Sequence, residues 1–195
     1  MPERQSAPGR ARDRLLRAAS DLFYADGIAA TGIDTITERA GVAKQSLYNN
    51  FPSKAALVSA YIDARHDEWL ALYEVRQQAS DDPVAGVIAV FDAYIDHAST
   101  AYEYGFRGCG LLNAAAELSA GDPGRAAVRR HKAQVESLLC AHLNDIYPEQ
   151  PERAARIGKH LAFLLEGAIA RGGLDGNANC LHAAKAIATD LLEQS

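Results

Sequence analysis

A chain of 195 residues is longer than one small domain needs and shorter than two full ones, and its 48% hydrophobic and 23% charged residues give ample core while excluding a disordered chain. The net charge of −5 argues against a protein coated with polyanion, yet residues 1–54 carry 8 Lys+Arg against 6 Asp+Glu while the remainder carries 12 against 19. Cys109, Cys140 and Cys180 are widely spaced, with no C-x-x-C pair and no zinc-finger histidine spacing, so a reducing cytoplasm is expected and no metal or cofactor site is indicated.

The basic front is concentrated in Arg4, Arg10, Arg12, Arg14 and Arg17. A basic front on an acidic body fits a nucleic-acid reader with a separate body, and a solvated arm accounts for it equally well. The opening MPERQSAPGRARDR lacks the apolar stretch of a signal peptide, and no run reaches the roughly 18 apolar residues of a membrane span. The expectation is a soluble cytoplasmic protein with no membrane association.

From Arg10 onward Leu15, Leu16, Ala19, Leu22 and Phe23 fall on one helical face, and Gly27 ends the helix. Thr31-Gly32-Ile33-Asp34 reads as a capping box opening the next helix, with Thr31 satisfying free backbone N–H groups and Asp34 reaching back; Gly41 closes it. A helix of barely two turns follows, Lys44 to Asn50, whose clear core residue is Leu47. Two short helices joined by a glycine-containing turn are a helix-turn-helix. Ser53 caps a long helix running to about Gln78, and Pro83 starts another with Val87, Ile88, Phe91, Tyr94 and Ile95.

Three glycines around Cys109 loosen the next helix, which stops at Gly121-Asp122-Pro123. A helix ending at Pro148 follows, then two more over 151–171 and 178–193, separated by Gly172-Gly173-Leu174-Asp175-Gly176. No window alternates as a strand does, so the fold class is all-α with about nine helices.

The stretch GVAKQSLYNNFPSKAAL, residues 41–57, holds many hydrogen-bonding groups and few core residues. The major groove, about 12 Å wide, admits one helix, and Lys, Gln and Asn offer the donors and acceptors that base edges require. Lys44 suits guanine, Gln45 and the asparagines suit adenine, Ser46 suits either base or phosphate, and Tyr48 and Lys54 suit phosphates. Solvent-facing polarity between two core helices would look the same from composition.

Residues 10–57, above all TGIDTITERAGVAKQSLYNNFPSKAAL, resemble the DNA-binding region of the tetracycline-repressor-like (TetR) family of bacterial transcriptional regulators. The resemblance implies a three-helix DNA-binding head over residues 1–54 with a basic N-terminal arm, and a helical ligand-binding and dimerisation body over residues 55–195. It further implies a homodimer reading a palindromic operator in double-stranded DNA. Carried over by position, Thr31 and Thr35 sit at the phosphate-facing start of the second helix, Lys44, Gln45 and Ser46 lead the recognition helix, and Tyr48, Asn49, Asn50 and Lys54 complete the contact surface. Ala43 stands where the family often has Ser, which forfeits a side-chain cap of roughly 1 kcal/mol. Asn50 stands where His is common.

In the body, FRGCGLLNAAAEL, residues 106–118, resembles a segment of one branch of that family and implies no particular ligand. Cys109, Asn113 and Glu117 share one helical face and are pocket candidates. Cys109 is either a sensor thiol, its pKa lowered by a helix start and Arg107, or a small buried residue. His131 and His142 lie on the apolar stripe of their helix, as polar anchors for a ligand or as hydrogen-bonded core histidines. Trp69, Phe91, Tyr94 and Phe163 suit core packing and pocket lining alike. The last two helices resemble the family's dimer-forming pair, with Gly158, Ala162 and Gly167 permitting close approach.

Together these features point to a regulator responsive to an unknown small-molecule effector, a repressor released by that molecule. A thiol enzyme using Cys109 with His131 is the rival class, disfavoured because no acid is placed to orient the histidine. An all-α small-molecule-binding protein that does not use DNA is a third.

Overall fold

The computed structural model describes residues 8–99 and 105–193, so Arg4 and the rest of the arm at 1–7 lie outside the described residues. Nine α-helices and no strand occur among the described residues. The first three, α1 (Pro8–Asp26), α2 (Ile33–Ala40) and α3 (Lys44–Asn50), pack around Leu15, Ala19, Phe23, Ile36, Ala40 and Leu47, the apolar stripes of the sequence. Gly41 closes α2 in the left-handed region at φ 58°, its N–H donating to Glu38 O, and a Cβ there would lie 2.6 Å from Arg14 Nη2. That guanidinium donates to Gly41 O at 3.0 Å and so ties α1 to the turn between α2 and α3.

The expected capping box does not form. Thr31 is buried and donates its hydroxyl to Gly27 O at 2.6 Å, while Gly32 takes the cap position of α2 with no side-chain bond. The carbonyl left free by the glycine that ends α1 wins the hydroxyl, which closes the loop between α1 and α2. Asp34 is thereby left at the surface.

The long α4 (Lys54–Gln77) begins at Ser53, whose Oγ accepts from Ala56 N–H at 3.1 Å, and its 24 residues span about 36 Å. Leu57, Val58, Tyr61 and Ile62 complete the core under α1–α3, whereas Trp69 and Tyr73 belong to a second core with α5 (Pro83–Ser99), α7 (Pro123–Ile146), α8 (Pro151–Asp175) and α9 (Asn179–Glu193). The short α6 (Gly110–Glu117) lies between, with Leu111 and Ala114 in the first core. Asp122 caps α7 by accepting from Gly124 N–H.

Residues 172–176 are not the break the sequence suggests, because α8 continues through both glycines to Asp175 and ends at Gly176, φ 70°. The pair is needed for contact. A Cβ on Gly173 would lie 2.7 Å from Gly108 N, and one on Gly172 would lie 2.8 Å from Asn177 O. Most of the stripe expected at a dimer face, including Ile157, Leu161, Leu165, Leu181 and Ala184, is buried within the chain, and Gly158 admits Cys140 of α7. Phe163 is neither core nor cavity lining, being 62% exposed.

At seven residues α3 is too short to be stable alone, and its only buried residue, Leu47, carries its attachment to the core. Leu47→Ala should cost about 2–5 kcal/mol of unfolding free energy, read as a lower urea midpoint with loss of the head's helical signal.

Candidate nucleic-acid interface and interior cavity

With Leu47 pointing inward, Lys44, Gln45, Tyr48 and Asn49 are exposed along the other side of α3, and Ser46 and Asn50 are half-buried at its edge. Gln45 Nε2 donates to Asn49 Oδ1 at 3.1 Å, and Asn50 Nδ2 donates to Ser46 O at 2.7 Å, so both amides are oriented before any partner arrives. Lys44 pairs with Asp34 of α2 at 2.7 Å, and that hydrogen bond raises the pKa of the ammonium. Both side chains are more than half exposed, so the pair orients Lys44 without stabilising the fold appreciably. Thr35 is exposed near the start of α2 and Lys54 is half-buried at the start of α4, whereas Thr31 faces the interior and leaves this surface.

A narrow cavity lies among α4, α5, α8 and the segment 106–111. Of the residues expected to bind a ligand, Trp69, Tyr94 and Cys109 line it; Phe91, Asn113, His131 and His142 do not. Phe91 is fully buried core, and Asn113 Nδ2 donates to Arg107 O, holding the loop before α6. His142 meets Tyr73 Oη at 2.7 Å and packs where a side chain on Gly86 would stand. His131 spends both ring nitrogens on neighbours, Nδ1 on His66 at 2.9 Å and Nε2 on Tyr94 Oη at 3.2 Å. Arg65, His97 and Phe106, which also line the cavity, carry no periodic signal in the sequence; burial on a helix face would have been the only hint.

Cys109 precedes α6 as its cap residue and lines the cavity, whereas Asn113 and Glu117 do not. Glu117 points instead at the head, its carboxylate accepting from Ile28 N–H at 2.9 Å and Ala29 N–H at 2.7 Å. From the same segment the Arg107 guanidinium donates to Tyr24 O at 2.8 Å and to Ala25 O, at the end of α1. Tyr24 Oη accepts from Arg107 N–H at 2.6 Å and donates to Gly108 O at 3.2 Å. Tyr61 Oη of α4 donates to Gly110 O at 3.5 Å. The wall of the cavity is thus bonded to the last turn of α1 and to the loop that leads into α2.

Burial, reinforced by the charge of Lys132, lowers the pKa of His131 to about 3; burial, reinforced by Arg65 and Lys132, lowers that of His97 to about 4. Both are neutral at pH 7, and the unfolded chain binds protons more tightly than the folded one. Stability is therefore complete above about pH 6.5 and falls as pH drops toward 4, by up to about 1.4 kcal/mol per unit for each histidine. Urea unfolding across that range should show the slope, and His131→Gln should reduce it.

The family model described as bacterial regulatory proteins of the tetR family matches residues 15–61, which span the α1 stripe from Leu15 onward, α2, α3 and the start of α4. The transcriptional activator FasR of Mycolicibacterium smegmatis is 37% identical over 95 residues, 47% of this chain and 43% of that protein. The transcriptional repressor ComR of Escherichia coli is 29% identical over 129 residues, 65% of this chain and 61% of that protein. The chain therefore matches less than two thirds of the length of either curated relative. Along its whole length it is similar to the crystal structure of a TetR-family transcriptional regulator from Streptomyces coelicolor, with a TM-score of 0.86, 30% identity, and coverage of 95% of this chain and 96% of that one. With the helix-turn-helix matched in sequence and head and body matched together in three dimensions, the chain belongs to the TetR family of DNA-binding transcriptional regulators.

Proposed function

We propose that the protein is a ligand-released repressor that binds a palindromic operator as a homodimer. The observation that carries this reading is α3, anchored by Leu47 alone and presenting Lys44, Gln45, Tyr48 and Asn49 outward. Gln45 and Asn49 face adenine, Lys44 faces guanine or phosphate, and Thr35, Ser46, Asn50 and Lys54 hold the backbone on either side. The two α3 helices of a dimer enter successive major grooves about 34 Å apart on one face of the duplex. The division of labour is a head over 1–54 and a ligand-binding and dimerising body over 55–195, working in the cytoplasm.

The dimer forms through α8 and α9, whose outer surface carries exposed Phe163 and Ile187 around a hollow at Gly167 and Ala168, with Leu191 also exposed on α9. Large apolar side chains clustered in the open support an association surface. Repression is the sense we adopt; one relative is named an activator and another a repressor. Release follows from the link between the cavity wall and the head: an occupant of the cavity displaces 106–111, and Arg107 and Glu117 carry that displacement to α1 and its following loop. By linkage, DNA then weakens the occupant's binding by the same factor.

The thiol-enzyme alternative requires His131 to serve Cys109 as base, and both its ring nitrogens are engaged elsewhere. The alternative of a small-molecule binder without DNA is separated by experiment. Fluorescence anisotropy on DNA flanking the gene, and on a random-sequence pool after selection, should reveal tight binding at about 0.15 M salt with nonspecific competitor present. Lys44→Ala should cost roughly 1–3 kcal/mol of specific binding; absence of any selected sequence would refute the regulator reading. Asp34→Asn should act oppositely, because it frees Lys44 and removes a negative charge beside the phosphates. Its expected effect is a severalfold higher affinity that fades as salt rises.

A further inference from the structure

We propose that the cavity binds a small organic acid with a flat apolar body, its carboxylate received by Arg65, the Trp69 indole N–H and the first turn of α6. The inference rests on the ligand-responsive reading above and supplies the chemistry of the ligand.

Three kinds of donor are found among the residues that line the cavity. Trp69 is 1% exposed and lines the space, yet its Nε1–H is buried without a hydrogen-bond partner. An unmet buried donor is uncommon in a folded protein and calls for an acceptor from outside the chain. The eight-residue α6 begins at Cys109 with no side-chain cap, and Gly108, Cys109, Gly110 and Leu111 all line the cavity. The N–H groups of a first helical turn and the positive end of the helix dipole both favour an anion there. Arg65 is largely buried, and only one Nη is engaged by Glu68, so the rest of its five-donor fork remains for a carboxylate.

The surroundings fit an anion and not a cation. Among the described residues that line the cavity there is no Asp or Glu. Lys132 stands behind Tyr94, and its nearer carboxylate, Glu166 at 2.8 Å, does not line the space. His97, which does line it, is kept neutral by burial and by the positive charges of Arg65 and Lys132, so the local field is positive. The remaining wall is apolar, with Phe106, Leu111 and Ile169 beside the ring faces of Trp69 and Tyr94. As it stands the space is little larger than a water molecule, so the acid enters by displacing the segment 106–111, and the narrow gap selects a flat body.

Trp69 is the sole tryptophan of the chain, so fluorescence excited selectively at tryptophan reports on this site alone. The full-length protein is titrated with benzoate and naphthoate, and with benzamide and benzylamine as neutral and cationic counterparts, with calorimetry as a second readout. The acids should produce a saturable change, with benzamide at least about tenfold weaker and benzylamine silent. Arg65→Gln should weaken benzoate about tenfold while leaving benzamide unchanged, and Arg65→Lys should keep part of the preference; circular dichroism checks that both variants fold. Equal or tighter binding of benzamide, binding of benzylamine alone, no saturable response to either acid, or benzoate affinity unaltered in a folded Arg65→Gln would each overturn the proposal. Operator binding, measured without any acid, decides the regulator reading separately. If DNA is bound and no acid is, the acid proposal alone falls; if acid is bound without altering DNA affinity, ligand release alone falls.

Discussion

The approach of the segment 106–110 to α8 is the constraint on which the interior of this protein depends. Gly108, at φ 80°, lies against Gly173, and a Cβ on Gly173 would strike the peptide between Arg107 and Gly108. Only backbone on backbone permits that distance. Because the segment lies this close, Phe106, Cys109 and Leu111 form a wall of the cavity beside Trp69 and Tyr94, and Arg107 is turned outward to meet the end of α1. A single close contact thus places the cavity wall and the tie to the head on neighbouring residues. Displacing one without the other would require breaking the peptide plane or the bonds from Tyr24.

Two polar systems of different character result. Around Tyr94 and His131 the groups are buried, neutral or paired, and each hydrogen bond holds a ring in one orientation: His66 to His131, His131 to Tyr94, and Lys132 to Tyr94 and Glu166. Such a network resists change because an unsatisfied member in a low dielectric is costly. On α3 the polar groups are exposed, so exchanging their internal partners for DNA costs little. The Lys44–Asp34 pair and the Gln45–Asn49 bond preset side-chain directions and still leave them available. The buried network is fixed in place, and the outer face of α3 is adaptable.

The connection between the two is double. The long α4 passes through both cores, with Leu57 to Ile62 in one and Trp69 and Tyr73 in the other. In parallel, Arg107 and Glu117 grip the end of α1 and the loop leading to α2. The first link is rigid and apolar, and the second is made of hydrogen bonds to backbone atoms. The second link joins residues 107 and 117 to α1 and its following loop without passing through α4.

The sequence by itself determined the helices, their order and the outward face of α3. Apolar spacing of three and four residues identifies each buried stripe, and Gly41, Ser53, Asp122 and Pro123 mark helix ends through local chemistry that needs no distant partner. Tertiary structure decided whatever depended on residues far apart in the chain. Thr31 could cap α2 or close the preceding loop, and the carbonyl of Gly27 settled the choice. The glycines at 172–173 carried a helix-breaking signal, yet Gly173 admits Gly108, about sixty-five residues earlier, Gly172 makes room for Asn177 O, and α8 runs straight through them. Glu117 shared a spacing with Cys109 that suggested a common pocket, but the free N–H groups of Ile28 and Ala29 claim its carboxylate. His131 and Phe91 lay on apolar stripes that suit core and cavity equally, and only packing against other helices assigned them to the core. Period and capping are local and survive in the linear code; burial on one side of a helix or the other depends on which neighbour arrives.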